Sequence, residues 1–163
     1  MKILIVEDKE ENRKAAMSAI QEEIEFAVTL DEAVSKLERD DYAAVIIDRN
    51  FPRTAGQEPE QLGEELEKVV MNYKIPHIIL TEYWHHQNLS QVYLNGEQIQ
   101  FRSGHKEEEK ISVQPKSDPQ AWIKTWETLK YLAPNMEEIF NARKRYRKYY
   151  GKPFFVARDQ FSK

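Results

Sequence analysis

Ile3-Leu4-Ile5-Val6-Glu7-Asp8 opens the chain with an unbroken apolar run that stops at two carboxylates, and Ala44-Val45-Ile46-Ile47-Asp48 repeats the pattern. A run without polar alternation suits a strand buried on both faces of a parallel sheet. Open α/β sheets bind ligands beyond the carboxyl ends of their strands, where these acids stand. If the two strands are neighbours, Glu7, Asp8 and Asp48 converge into one acidic pocket suited to a hard divalent cation.

Outward from these strands, the pattern alternates. Lys9–Glu23 reads as a helix, Phe26-Ala27-Val28 as a short strand, and Asp31–Arg39 as a second helix capped by Thr29 or Asp31. Tyr42–Asp48 is the next buried strand, followed by a long polar loop from Arg53 to Gln61. Leu62, Leu66, Val69, Val70 and Tyr73 recur at helical spacing, and Pro76 opens a further strand, His77-Ile78-Ile79-Leu80, ending at Thr81. This β-α-β-α-β-α-β order predicts an α/β fold with a doubly wound parallel sheet. Asn95-Gly96 between Gln91–Leu94 and Gln98–Phe101 then signals a β-hairpin where a crossover helix is due. Ser103–Lys110 is charged, Ile111-Ser112-Val113 reads as a last short strand, and Pro119 opens a helix with Trp122, Ile123, Trp126 and Leu129 inward. Pro134 ends it, and Asn135 caps a further helix to about Tyr150.

The 163 residues fit one domain with an appendage and suffice for a sizeable core. Cysteine is absent, which excludes disulfides and thiolate metal sites. No stretch has the length of a membrane span, and the opening apolar run is too short for a signal peptide, so a soluble, cytoplasmic protein is expected. Net charge is −4, yet positions 143–152 hold six lysines and arginines and no acid. That basic segment reads as the solvated face of a docked amphipathic helix. Its interleaved tyrosines, Tyr146, Tyr149 and Tyr150, leave a nucleic-acid or acidic-partner patch as the sharper reading.

In this order, Ile3–Asp8 with its acidic pair, Asp48 with Pro52 four residues on, Ile75-Pro76 leading to Leu80-Thr81, and a late lysine make the chain resemble the receiver domain of response regulators. The resemblance runs from Met1 to about Thr81 and resumes from Ile111 to Leu132. It implies a five-stranded, flavodoxin-like sheet of order 2-1-3-4-5 with a hairpin insertion at about 88–110. The receiver-like domain would span 1–133 and a C-terminal helical extension 134–163. It further implies that Asp48 accepts a phosphoryl group and that Glu7, Asp8, Asp48 and the Asn50 carbonyl hold Mg²⁺. Thr81 and Lys116 would contact phosphoryl oxygens. The donor would be a sensor histidine kinase, a phosphotransfer protein or a small acyl phosphate. Such a protein is a phosphoacceptor with at most self-dephosphorylation, working through protein partners.

The chain also departs from the family. The order is Pro115-Lys116 rather than lysine before proline, so Gln114 competes with Lys116 for the lysine site. Val113 stands where an aromatic switch residue is usual, Glu82 where a small residue is favoured, and Arg49 where an apolar one is common. These departures motivate the alternative of a pseudo-receiver, an interaction module that no longer cycles phosphate. A metal-dependent hydrolase with the same acids ranks behind both, because Asp48-Arg49-Asn50 lacks a second aspartate. His85-His86 has no third ligand at suitable spacing and reads as a solvated loop. His77, inside an apolar strand, reads as a hydrogen-bonded core histidine. Phe154-Phe155-Val156 is a candidate to pack on the sheet or to dock on a partner.

Overall fold

Residues 2–83 and 115–135 are described throughout in the computed structural model, together with the strand segments 89–94, 97–98, 100–102, 109–110, 112–113 and 156–157. The apolar runs become β1 (Lys2–Val6), β3 (Ala44–Ile47) and β6 (His77–Tyr83), with β2 (Glu23–Ala27) outside β1. These four strands are parallel in the order β2-β1-β3-β6. The register sets Ile3 between Ile24 and Ala44, and Ile47 beside Ile79.

Strand residues alternate between two cores, as the pleat requires. Ile3, Ile5, Ile46, Ile78 and Leu80 pack under α1 (Glu10–Ala19) and α4 (Pro119–Leu132), where Trp122, Trp126 and Leu129 are buried. Leu4, Val6, Val45, Ile47 and Ile79 face α2 (Leu30–Arg39) and α3 (Gly63–Asn72) on the other side. The sheet is thus covered on both faces, which explains the absence of polar alternation along its central strands.

Local signals decide the boundaries. Thr29, not Asp31, caps α2: its hydroxyl accepts from the Glu32 N–H at 3.1 Å, while Glu32 Oε2 accepts from the Val28 N–H at 3.1 Å. Asp118 caps α4 by accepting from the Gln120 N–H at 2.9 Å, with Pro119 in the first turn. Helix α1 stops at Ala19 rather than Glu23, because Glu23-Ile24-Glu25-Phe26-Ala27 alternates with the period of a strand and pairs with β1. The polar loop after Asp48 contains a small hairpin, β4 (Asn50–Pro52) against β5 (Pro59–Gln61).

The sheet differs from the expected five parallel strands at its far edge. β7 (Leu89–Leu94) lies antiparallel beside β6, and the expected fifth strand, β11 (Ser112–Val113), pairs antiparallel with β7, one position farther out. The five residues between β6 and β7 are too few for a crossover, so the returning strand can pair only antiparallel. The expected hairpin is present as β7 paired with β8 (Glu97–Gln98). Beyond it, β9 (Gln100–Arg102) joins β10 (Glu109–Lys110) and β12 (Val156–Ala157) in a small sheet, so part of the tail segment 154–156 returns to the domain as backbone pairing. A 3₁₀ turn over Ala133–Asn135 follows α4. The expected helix from 135 to 150, its basic segment 143–152 and His85-His86 fall outside the described residues. Among the described residues, no helix is long and apolar enough to cross a membrane.

Candidate functional site

The ends of β1 and β3 bring the acids together. One carboxylate oxygen from each of Glu7, Asp8 and Asp48 lies within 4.8 Å of the others. Strand pairing fixes them: the Glu7 N–H donates to the Ala27 carbonyl at 3.0 Å, and the Asp48 N–H to the Val6 carbonyl at 2.9 Å. Thr81, buried, lies within the neighbouring β6, which runs two residues beyond the expected end at Thr81 to Tyr83 because Thr81, Glu82 and Tyr83 pair with β7.

Lys116 enters this pocket from the loop before α4. Its Nζ lies 2.6 Å from Glu7 Oε2 and 3.0 Å from Asp48 Oδ1, with the lysine side chain only 4% exposed. Lys116 thus lies against the acidic pair; Gln114, the other candidate for the lysine position, falls outside the described residues. Glu7 is fully engaged, since its Oε1 accepts from Asn12 Nδ2 at 3.1 Å and from the Lys9 N–H at 3.2 Å. Arg13 donates to the Glu7 carbonyl at 3.1 Å. The exposed Asn50 contributes its N–H to Asp48 Oδ1 at a long 3.4 Å.

Three carboxylates thus face one ammonium. Burial pushes the Asp48 carboxyl up to about 7, with Lys116 opposing and Glu7 reinforcing the shift. Asp8 is likewise raised, first by burial and then by the Glu7 charge. Burial pulls Lys116 down, but Asp48 and Glu7 outweigh it and hold its ammonium above the ordinary lysine value. Asp8 Oδ1 is buried and meets no hydrogen-bond partner among the described residues. Clustered oxygen donors, an orphaned carboxylate oxygen and a shortage of positive charge together fit a hard cation such as Mg²⁺.

Several contributors carry no motif signal. Gly63 opens α3 hard against the nucleophile candidate: a Cβ there would stand 2.8 Å from both Arg49 Cα and the Asp48 carbonyl oxygen. Asn12 resembles any helical asparagine in sequence, and only its spacing of five from Glu7 could have suggested contact. Away from the pocket, His77 is fully buried, with Nδ1 3.0 Å from the Ile75 carbonyl and Nε2 3.0 Å from Glu67 Oε2, in keeping with a core histidine.

No family model and no curated protein matches the chain. Among solved structures, it is similar to a fusion that carries amino acids 181–211 of the yeast Spc42 trimeric coiled coil, at 22% identity and a TM-score of 0.42. That match covers 52% of this chain and 53% of the other, and a likeness so loose carries no argument about fold or function.

Proposed function

We propose that the chain is a receiver-like phosphoacceptor, in which Asp48 takes a phosphoryl group with Mg²⁺ bound beside it and the protein signals through contacts with partners. The observation that carries this reading is the meeting of Glu7, Asp8, Asp48 and the Lys116 ammonium at the carboxyl ends of parallel strands. Asp8 and Asp48 would hold the ion, with Glu7 and the Asn50 carbonyl completing the set. When bound, Mg²⁺ supplies neutralisation of the charge on the phosphoryl oxygens.

The protein's own groups do the rest. A carboxylate oxygen of Asp48 attacks phosphorus and forms the new O–P bond. The bond from phosphorus to the donor breaks, and the leaving group, acetate from acetyl phosphate or imidazole from a phosphohistidine, keeps the electron pair. Lys116 Nζ lies 3.0 Å from Asp48 Oδ1 and serves as counter-ion to a phosphoryl oxygen. Thr81 donates its hydroxyl to another. The donor is a sensor histidine kinase or phosphotransfer protein, and the cytoplasm is the compartment where one would be met.

Calorimetric titration with Mg²⁺, with and without beryllofluoride, tests this reading. Wild type should bind the metal and then the phosphoryl mimic, whereas Asp48→Asn should lose the second event. A mimic that binds Asp48→Asn as well as wild type would sink the assignment.

One observation favours the pseudo-receiver instead: Lys116 already engages Glu7 and Asp48 in a pocket where Asp48 is only 8% exposed. That reading predicts no metal or beryllofluoride binding, and partner affinity unchanged by Asp48→Ala.

A further inference from the structure

We infer that Glu82 is a positioning residue of this site, tethering the Lys116 backbone so that the ammonium stands between Glu7 and Asp48; the inference rests on the receiver-like reading. Glu82 Oε1 accepts from the Lys116 N–H at 3.0 Å, across 34 residues of sequence. On the other side of the same residue, the Lys116 carbonyl accepts from Trp122 Nε1 at 2.7 Å, with Trp122 buried in α4. The main chain of Lys116 is therefore held at both its amide and its carbonyl by side chains, and its ammonium by two carboxylates.

The strand order explains why a tether is needed. Glu82 pairs with Ser90 of β7, and Ser90 with Val113 of β11. The interposed β7 sets β11 one strand spacing, about 4.8 Å, farther from β6 than direct neighbours would be. The loop that follows β11 must return over that gap to deliver Lys116 to Asp48. A small residue at position 82 could not reach the Lys116 N–H, which the glutamate binds at 3.0 Å. The same bond turns the Glu82 carboxylate toward a backbone N–H, which gives its charge a partner at the pocket rim. Trp122 links the Lys116 carbonyl to α4.

The test compares Glu82→Gln, which keeps an acceptor at the same reach, with Glu82→Ala and with Glu82→Asp, which keeps the charge but is one methylene shorter. Two readouts are taken on the full chain: exchange protection of the Lys116 amide with the Trp122 indole resonance by NMR, and the rate of adduct formation from acetyl phosphate with Mg²⁺. Glu82→Ala and Glu82→Asp should each lose about tenfold or more in amide protection and in labelling rate. Glu82→Gln should stay within about threefold of wild type in both. Unchanged Lys116 protection in Glu82→Ala and Glu82→Asp would overturn the inference. So would equal acceleration of labelling by Gln and Ala, which would make Glu82 a repulsive charge. If wild type takes up no phosphoryl group, the receiver-like reading fails, while the NMR arm still decides the role of Glu82.

Discussion

The two halves of the sheet are built differently and contribute opposite charges to one pocket. In the half formed by β2, β1, β3 and β6, parallel strands deliver Glu7, Asp8 and Asp48 directly from their carboxyl ends. In the half formed by β7 and β11, antiparallel pairing delivers nothing by itself. Its lysine comes from the following loop and depends on Glu82, Trp122 and the carboxylates for its place. Parallel topology thus brings the anions to the pocket, whereas the cation is brought there by side-chain anchors. The lysine half therefore depends on the acidic half for its place, and the acidic half on the lysine for its charge balance.

The sharpest way to break this asymmetry is Lys116→Met. It leaves Glu7 and Asp48 buried without a counter-ion, and removing one partner of a buried pair costs about 3–5 kcal/mol. Urea unfolding should show that loss, and Lys116→Met with Asp48→Asn should recover part of it. A cost within about 0.5 kcal/mol, typical of a surface lysine, would remove Lys116 from the site.

Gly63→Ala probes the acidic half at its tightest point. The added methyl meets backbone at 2.8 Å on two sides, so α3 or the Asp48 strand end must shift. Overpacking of this kind costs about 1–3 kcal/mol, and the accompanying movement of Asp48 should weaken Mg²⁺ binding. Stability and metal affinity both unchanged would mean that α3 moves freely against β3.

The pH dependence sharpens the comparison further. The Asp48 carboxyl is raised to about 7, from an ordinary value near 3.8, chiefly by burial. Its contribution to stability in metal-free protein is present below the ordinary carboxylate value and is lost as pH rises through about 7. Metal binding runs the other way: the ligand must be ionised, so affinity for Mg²⁺ should fall as pH drops below about 7, with proton release on binding. Asp48→Asn should flatten both profiles. A Mg²⁺ affinity constant from pH 8 to pH 5, values spanning that titration, would contradict the picture.

Tyr42→Phe gives the smallest expected effect and serves as a control at the other end of β1. The Tyr42 hydroxyl donates to Glu25 Oε2 at 2.6 Å, and its loss should cost about 1 kcal/mol. Neither metal binding nor labelling should change. An effect on the pocket would mean that the two ends of the sheet are coupled.

The acidic half was the legible one. Unbroken apolar runs fix buried parallel strands, and carboxylates at their ends fix a pocket, because both follow from burial alone. The lysine half was not, for physical reasons. Periodicity announces a strand but not its neighbour, so 111–113 looked like the fifth parallel strand although β7 takes the place beside β6. The hairpin of β4 and β5 has three-residue strands, one ending and one starting in proline, and gives no periodic signal. The strand after α1 read as Phe26–Val28 and begins instead at Glu23, because Ile20 and Ile24 also fit a helical face and so misplaced the end of α1. Glu82 read only as a departure from a favoured small residue, since its partner lies 34 residues away and no local pattern reveals it.

The central claim is that Asp48 accepts a phosphoryl group in a pocket completed by Lys116. Mass spectrometry of the intact protein and its peptides, after incubation with acetyl phosphate and Mg²⁺, tests it most directly. The account predicts a single phosphoryl adduct on the peptide containing Asp48, dependent on Mg²⁺, absent from Asp48→Asn and strongly reduced in Lys116→Met. An adduct that survives Asp48→Asn, or wild-type protein that takes up none, would contradict it.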